Sequence, residues 1–283
     1  MSNLNFPDNI FGINAKEAYD RVLGKLEKKP EQEEAKKDID LDLNLEDYIL
    51  LPKTKEHPDL LIAKNRLSYD GRIKKLAERW PPVYFDLKNS EKGYISEIDF
   101  FKAKRLLKDI DSFMINPNLF VEFLNLLKSK NVVNGKKELL DSSELETILK
   151  EIIEVRNPWR AEWLNHLYTT QKIDRTPLPA VIYQTVDQSG KLYEVTEVLD
   201  GNVLAEKKTP GTSLENWLKQ PNLNGLPRLD NPEGDLFYWP PKEDKVAIFG
   251  GDSRTMSLQL DASPETGNKI IGVREAKIYR GSQ

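Results

Sequence analysis

The sequence predicts an α+β protein in which an all-helical region precedes a mixed α/β domain. Three observations carry this expectation. Between Asp59 and Tyr168, apolar residues recur at three- and four-residue intervals, the period of an amphipathic helix. Beyond about Lys172 that period gives way to alternation and to short apolar runs bounded by Gly, Pro, Asn and Asp, which read as strands. Ahead of both lies a stretch dominated by charge, with little apolar surface to bury. The expected division is 1–58 as a charged, partly disordered segment, 59–172 as a helical domain and 173–283 as a ligand-binding domain.

Each element has its own signal. Ala15, Ala18, Val22, Leu23 and Leu26 share one face of a short helix. The charged run from Lys25 to Asp47 follows, and its Asp38-Ile39-Asp40-Leu41-Asp42 alternation fits either a half-buried strand or an acidic solvated segment. Those aspartates have the spacing of calcium-loop ligands, but Leu43 stands where the loop needs Gly and Ile49 where it needs Glu, so no calcium site is predicted. Leu60, Leu61, Ala63, Leu67, Ile73, Leu76, Ala77 and Trp80 predict a helical stretch closed by Pro81-Pro82. Ser96 is the expected cap of the next helix, which carries Phe100, Phe101, Ala103, Leu106, Leu107 and Ile110. Asn116 and Pro117 have the residue types of a cap and first helical position, ahead of Leu119, Phe120, Phe123, Leu124 and Leu127. After the Asn134-Gly135 turn, Ser142 or Ser143 caps a helix with Leu145, Ile148, Leu149, Ile152 and Ile153 on one face. Pro158 is expected to open a last helix bearing Trp159, Trp163, Leu164 and Leu167. Two runs, 180–186 and 192–198, flank Asp187-Gln188-Ser189-Gly190 and predict a hairpin. Thr212 or Ser213 caps a short helix through Trp217 and Leu218, and strands resume at 246–249, 257–260 and 270–278.

Composition narrows the chemistry. The 283 residues hold 42 Lys+Arg against 46 Asp+Glu, a formal net charge of −4, and no cysteine. Disulfides, thiolate metal sites and thiol nucleophiles are therefore excluded, and no nucleic-acid partner is expected. Lys102, Lys104 and Arg105 are balanced by Asp109 and Asp111, as on a solvated helix face. No secretory leader or membrane-spanning run is visible, so the expected compartment is the cytoplasm, with export by another route left open. Two histidines are too few for a metal centre; His57 is expected exposed at a helix start and His166 packed on the Trp159–Leu167 helix. Gly250-Gly251 follows a strand but lacks the Gly-Lys-Ser/Thr and helix of a phosphate loop, so a strand-end turn is expected. Trp239, between Tyr238 and Pro240-Pro241, fits either the core or an exposed aromatic site.

The C-terminal stretch carries a longer pattern. Val246, Ala247, Phe249, Ser253, Leu258, Leu260, Pro264, Gly272, Val273 and Arg274 stand in one register, led by Tyr238-Trp239. This resembles the end of the C-type-lectin-like variable proteins of diversity-generating retroelements, whose fold is shared with formylglycine-generating proteins. The resemblance implies a C-type-lectin-like domain over about 176–283. Its scaffold would comprise Val246, Phe249, Ser253, Leu258, Leu260, Pro264, Gly272 and Arg274. Its ligand-binding face would comprise Gly250, Asp252, Arg254, Thr255, Ser257, Gln259, Asp261, Ser263, Glu265, Thr266, Asn268 and Lys269, with Trp239 beside them. Leu260 stands where many relatives have Cys, and without cysteine the formylglycine-generating activity is not expected. Glu-Pro-Asn and Trp-Asn-Asp triplets are absent, so calcium-dependent sugar binding is not expected either. The implied function is non-enzymatic recognition of a protein or other macromolecule, with no cofactor and no metal. Two alternatives stay open: a scaffold that assembles through its helical half, and an enzyme with a carboxylate site in a deep pocket. Arg274, placed in an apolar run, requires carboxylate or carbonyl partners in any fold.

Overall fold

A computed structural model of the chain describes residues 43–84, 86–157, 159–203, 209–228, 234–251 and 254–281. The expected N-terminal helix and the Asp38–Asp42 alternation lie outside these residues. Asp40–Gln283 forms one compact unit, and the expected divisions at 58/59 and 172/173 both fall inside it. The expected all-helical region is not found: two sheets dominate the described chain, and the mixed C-terminal domain does not stand apart from what precedes it.

The smaller, four-stranded sheet has the order β1 (Tyr48–Leu51), β2 (Leu60–Ala63), β12 (Glu275–Ile278), β3 (Phe113–Met114). β2 was expected to be helical. Its four residues are all buried, and a short unbroken apolar run carries no periodicity that separates strand from helix. The helix of this stretch, α1 (Gly71–Arg79), starts only at Asp70, whose carboxylate accepts from the backbone N–H groups of Arg72 and Ile73. A short turn of helix, α2 (Pro81–Tyr84), follows, so Pro81-Pro82 starts a new helix after ending the first.

The larger sheet runs β6 (Leu192–Val198), β5 (Thr176–Val186), β4 (Arg160–Ile173), β9 (Val246–Gly251), β10 (Met256–Ala262), β8 (Leu236–Trp239), β7 (Thr209–Thr212). β11 (Ile271–Val273) lies parallel to the first part of β4, on the edge that β5 takes further along. β4 replaces the helix expected after Pro158. Its pairing with β9 shifts between Leu164 and Leu167, so Asn165 and His166 form a bulge. The four-residue spacing from Trp163 to Leu167 that imitates a helical turn is the spacing across this bulge.

α3 (Phe100–Asp109) is capped by Asp99 rather than Ser96, and α5 (Ser142–Ile153) by Asp141 rather than a serine. α4 (Pro117–Leu127) has the Asn116 cap and Pro117 start that the sequence predicts, and α6 (Leu214–Lys219) is capped by Ser213. α4 lies in the middle of the core. Phe120 packs 4.9 Å from Phe249 and 6.2 Å from Trp217, ring centroid to centroid. One apolar cluster runs from Ile49, Ile62 and Ala276 of the small sheet through α4 to Val181, Phe249 and Leu258 of the large one.

His57 is buried, at 3 % exposure, contrary to expectation. Its Nδ1 meets the Pro58 carbonyl at 2.7 Å and its Nε2 the Glu122 carboxylate at 2.9 Å. Two acceptors suit the doubly protonated ring. Burial opposes the charge, but Glu122 and the Pro58 carbonyl outweigh it and raise the pKa. A raised folded pKa gives stability that is full below the unfolded value and is lost as pH rises through the folded one. His57→Asn should therefore cost more at pH 5.5 than at pH 8, read by chemical denaturation of both proteins at each pH.

Candidate functional site

Arg274 follows β11 at the junction of the two sheets and is fully buried. Its Nε donates to Glu162 at 2.9 Å, and its Nη1 to the carbonyls of Ala63 at 2.8 Å and Lys64 at 2.6 Å. The pair neutralises itself and ties β4 to the segment after β2. That segment, 64–68, is held further by Leu67, whose N–H donates to Val273 and whose carbonyl accepts from Ile95. Ile95 belongs to a small hairpin in which Ser90 donates to Tyr94, and Gly93 turns the tip at φ +82°.

Between this hairpin, the 64–68 segment, the last turns of α5 and the start of β4 lies a cavity of about 530 Å³. Lys92, Tyr94, Arg66, Glu151, Arg160 and Arg274 face it. Arg66 is 9 % exposed, with its guanidinium 5.1 Å from the Tyr94 ring centroid. Gly272 makes room for both: a Cβ there would lie 2.8 Å from Arg66 Cδ and 2.9 Å from Tyr94 Cδ2. Arg160 and Arg156 both hold Glu151, and Arg156 also meets Glu154 at 3.4 Å.

What sets this cavity apart is its excess of donors. Among the described residues, Arg66 Nε, Lys92 Nζ, Arg160 Nε and Arg156 Nε are buried without a hydrogen-bond partner. Burial and then the charges of Arg160, Arg66 and Arg156 lower the Lys92 pKa. Burial likewise lowers that of Arg66, against the attraction of Glu162. Glu151 moves the other way from a buried acid: burial would raise it, but the Arg160 hydrogen bond and the charges of Arg156 and Arg160 hold it low. Such a site can donate hydrogen bonds and positive charge to an acceptor-rich anion. A second cavity, about 620 Å³, shares Lys92 with the first and is lined also by Lys88, Glu91, Glu97, Lys269 and Ile270.

The residues expected to bind ligand do not form this site. Gly250 is buried in β9, where a Cβ would lie 2.3 Å from the Arg160 carbonyl, so the position is closed to any side chain. Ser257 is also buried and donates to the Gly250 carbonyl at 3.3 Å. Gln259 and Asp261 are half-buried on the same face of β10, Asp261 accepting from Lys242 at 3.1 Å. Trp239, opposite Gln259 on β8, is half-buried with its ring 5.8 Å from Phe237. Thr255 donates to the Asp235 carbonyl, and Arg254 is exposed. Ser263 and Asn268 are half-buried, Glu265, Thr266 and Lys269 exposed, in a loop that packs on 97–100 through hydrogen bonds from Glu97 to Asn268 and from Phe100 to Pro264. Asp252 and Ser253 lie outside the described residues. Of the implied scaffold, Val246, Phe249, Leu258, Leu260, Gly272 and Arg274 are buried, and Pro264 is half-buried.

Of the described residues expected to bind ligand, Lys269 lines the second cavity, and of the implied scaffold Arg274 faces the first. Nothing in the sequence sets Arg66, Lys92, Tyr94 and Arg160 apart, because they come from separate segments with no common spacing. Among the described residues no cluster of His, Asp and Glu could hold a metal ion, and no helix is long and apolar enough to cross a membrane. Comparison with protein-family models, with curated proteins and with solved structures finds no match.

Proposed function

We propose that this chain is a ligand-recognition protein and that its ligand presents an anionic group to the cavity between Arg66, Lys92 and Arg160. The observation that carries this reading is the set of buried, unpartnered nitrogen donors around one cavity. A buried cation without a counter-charge is costly, and an anion bound there offsets that cost. The low pKa of Glu151 supports binding over general acid chemistry, since the acid in the cavity is held as a paired carboxylate. Recognition is the function implied by the C-terminal resemblance too, but the cavity moves it from the 250–269 face to the junction of the two sheets.

Lys92 tests this cleanly, because it stands at a hairpin tip away from the apolar core. A panel of phosphate, sulfate, citrate and acetate salts should include at least one that raises the melting temperature of the wild-type protein at constant ionic strength. Lys92→Ala should weaken that anion at least tenfold, about 1.4 kcal/mol, in calorimetric titration. Equal stabilisation of the two proteins by every salt would remove the reading.

A further inference from the structure

We propose that the anionic group is a phosphoryl dianion, the terminal phosphate of a monoester or free phosphate, rather than a carboxylate or a phosphodiester. This rests on the cavity being an anion site at all, and it follows from two further features of that cavity.

The first is charge. Of the residues that line it, Arg66, Lys92 and Arg160 bring three positive charges and Glu151 one negative, so the excess is two; Arg156, outside the lining, is matched by Glu154. Arg274 is matched by Glu162, and Lys64 by Glu144, so neither changes that balance. A monoanion would leave one buried cation uncompensated; a dianion closes the account.

The second is donor geometry. Here the free donors stand on three side chains from three segments: Arg66 of the 64–68 segment with its Nε, Lys92 of the hairpin with its Nζ, and Arg160 of β4 with its Nε beside the Nη1 that holds Glu151. The forked ends of Arg156 and Arg274 are already taken by Glu151 with a backbone carbonyl, and by Glu162 with two carbonyls. Separate donors from several directions match oxygens that radiate from one centre, as in a tetrahedral phosphoryl group. The adjoining cavity, which shares Lys92, offers space for the organic part of a monoester.

The test is isothermal titration of the intact protein with glycerol phosphate, inorganic phosphate, sulfate, dimethyl phosphate and acetate between pH 5 and pH 7.5 at fixed ionic strength. The dianions should bind at least tenfold more tightly than dimethyl phosphate and acetate at pH 7. Phosphoryl ligands lose their second proton near pH 6, so their affinity should rise about tenfold from pH 5 to pH 7. Sulfate is a dianion throughout and corrects for the protein's own groups that face the site. These are Lys64 and Arg66 after β2, Lys92 and Tyr94 on the hairpin, Glu151 on α5, Arg160 on β4 and Arg274 between β11 and β12. Lys92→Gln should lower phosphoryl affinity at least tenfold, with its circular dichroism spectrum and melting temperature as folding controls. Tighter binding of the ester than of inorganic phosphate assigns the site to a phosphorylated molecule, and the reverse order to free phosphate; both support the dianion. Equal affinity for acetate or dimethyl phosphate, or a phosphoryl profile no steeper than that of sulfate, overturns the dianion while leaving an anion site. Binding of none of the five at 10 mM, on the order of a very weak ligand's Kd, overturns the anion site itself.

Discussion

Glu162→Ala is expected to destabilise the protein by about 3–5 kcal/mol, the range for breaking a buried ion pair by removing one partner. The carboxylate is 1 % exposed and the guanidinium of Arg274 2 %. Removing Glu162 leaves Arg274 buried with two carbonyl acceptors, Ala63 and Lys64, and with the face of Phe123 at 5.4 Å, but with no counter-charge. The double variant Glu162→Leu with Arg274→Met is expected to recover most of that loss, because an apolar pair of similar size is not penalised for desolvation. Urea denaturation of the wild type, each single variant and the double variant measures the coupling directly. If the single variant unfolds with the wild-type midpoint, the pair contributes nothing to stability.

The acid limb of the stability curve should belong in large part to His166. Its ring is fully buried in the β4 bulge, tilted 42° against the Tyr183 ring at 5.2 Å between centroids, with Nδ1 3.3 Å from the Tyr168 hydroxyl. Among the described residues Nε2 has no partner. Burial pushes its pKa down to about 3. The unfolded ring takes a proton near pH 6.5 and the folded ring does not, so its contribution is full above pH 6.5 and is lost as pH falls toward 3. The slope is about 1.4 kcal/mol for each pH unit. His166→Phe keeps the aromatic packing and removes the titration. Measured between pH 7 and pH 4.5, the wild type should lose on the order of 2–3 kcal/mol more than the variant. Parallel curves would show that the ring titrates alike in both states. His57 acts in the opposite sense, so the two histidines together favour stability near neutrality and slightly below it.

These residues also show where the sequence was legible. The hairpin of β5 and β6 could be read because alternating runs flank a polar loop, and Gly190 does turn there at φ +83°. α4 could be read because a capping Asn and a first-position Pro act locally, through orphan N–H groups one turn away. β9 could be read because Val246-Ala247-Ile248-Phe249 is an apolar run ending at Gly250, and β10 because Met256, Leu258 and Leu260 alternate with Ser257, Gln259 and Asp261. β2 and β4 could not. In β2, burial on both faces erases the alternation that marks a strand; in β4, the bulge at Asn165 and His166 breaks the alternation and leaves a helix-like interval. Both errors enlarged the expected helical region. The cavity was illegible for another reason. Arg66, Lys92 and Arg160 look like ordinary surface cations in sequence, and only the tertiary fold buries their nitrogens together. Arg274 was the exception, since a charge in an apolar run announces that it must be paired.

The place of β12 has a consequence for how the chain is made. It sits between β2 and β3, so the small sheet cannot close until it arrives. Arg72 and Tyr48 wait for the same segment, because Glu275, 203 residues after Arg72, accepts from both, Arg72 at 2.8 Å and Tyr48 at 2.8 Å. At roughly 5–20 residues per second on the ribosome, that interval is roughly 10–40 s. Throughout it β2 presents an unpaired edge of Leu60, Leu61 and Ile62. The small sheet is therefore completed only once β12 has been made, and a nascent chain arrested before β12 keeps the edge of β2 open.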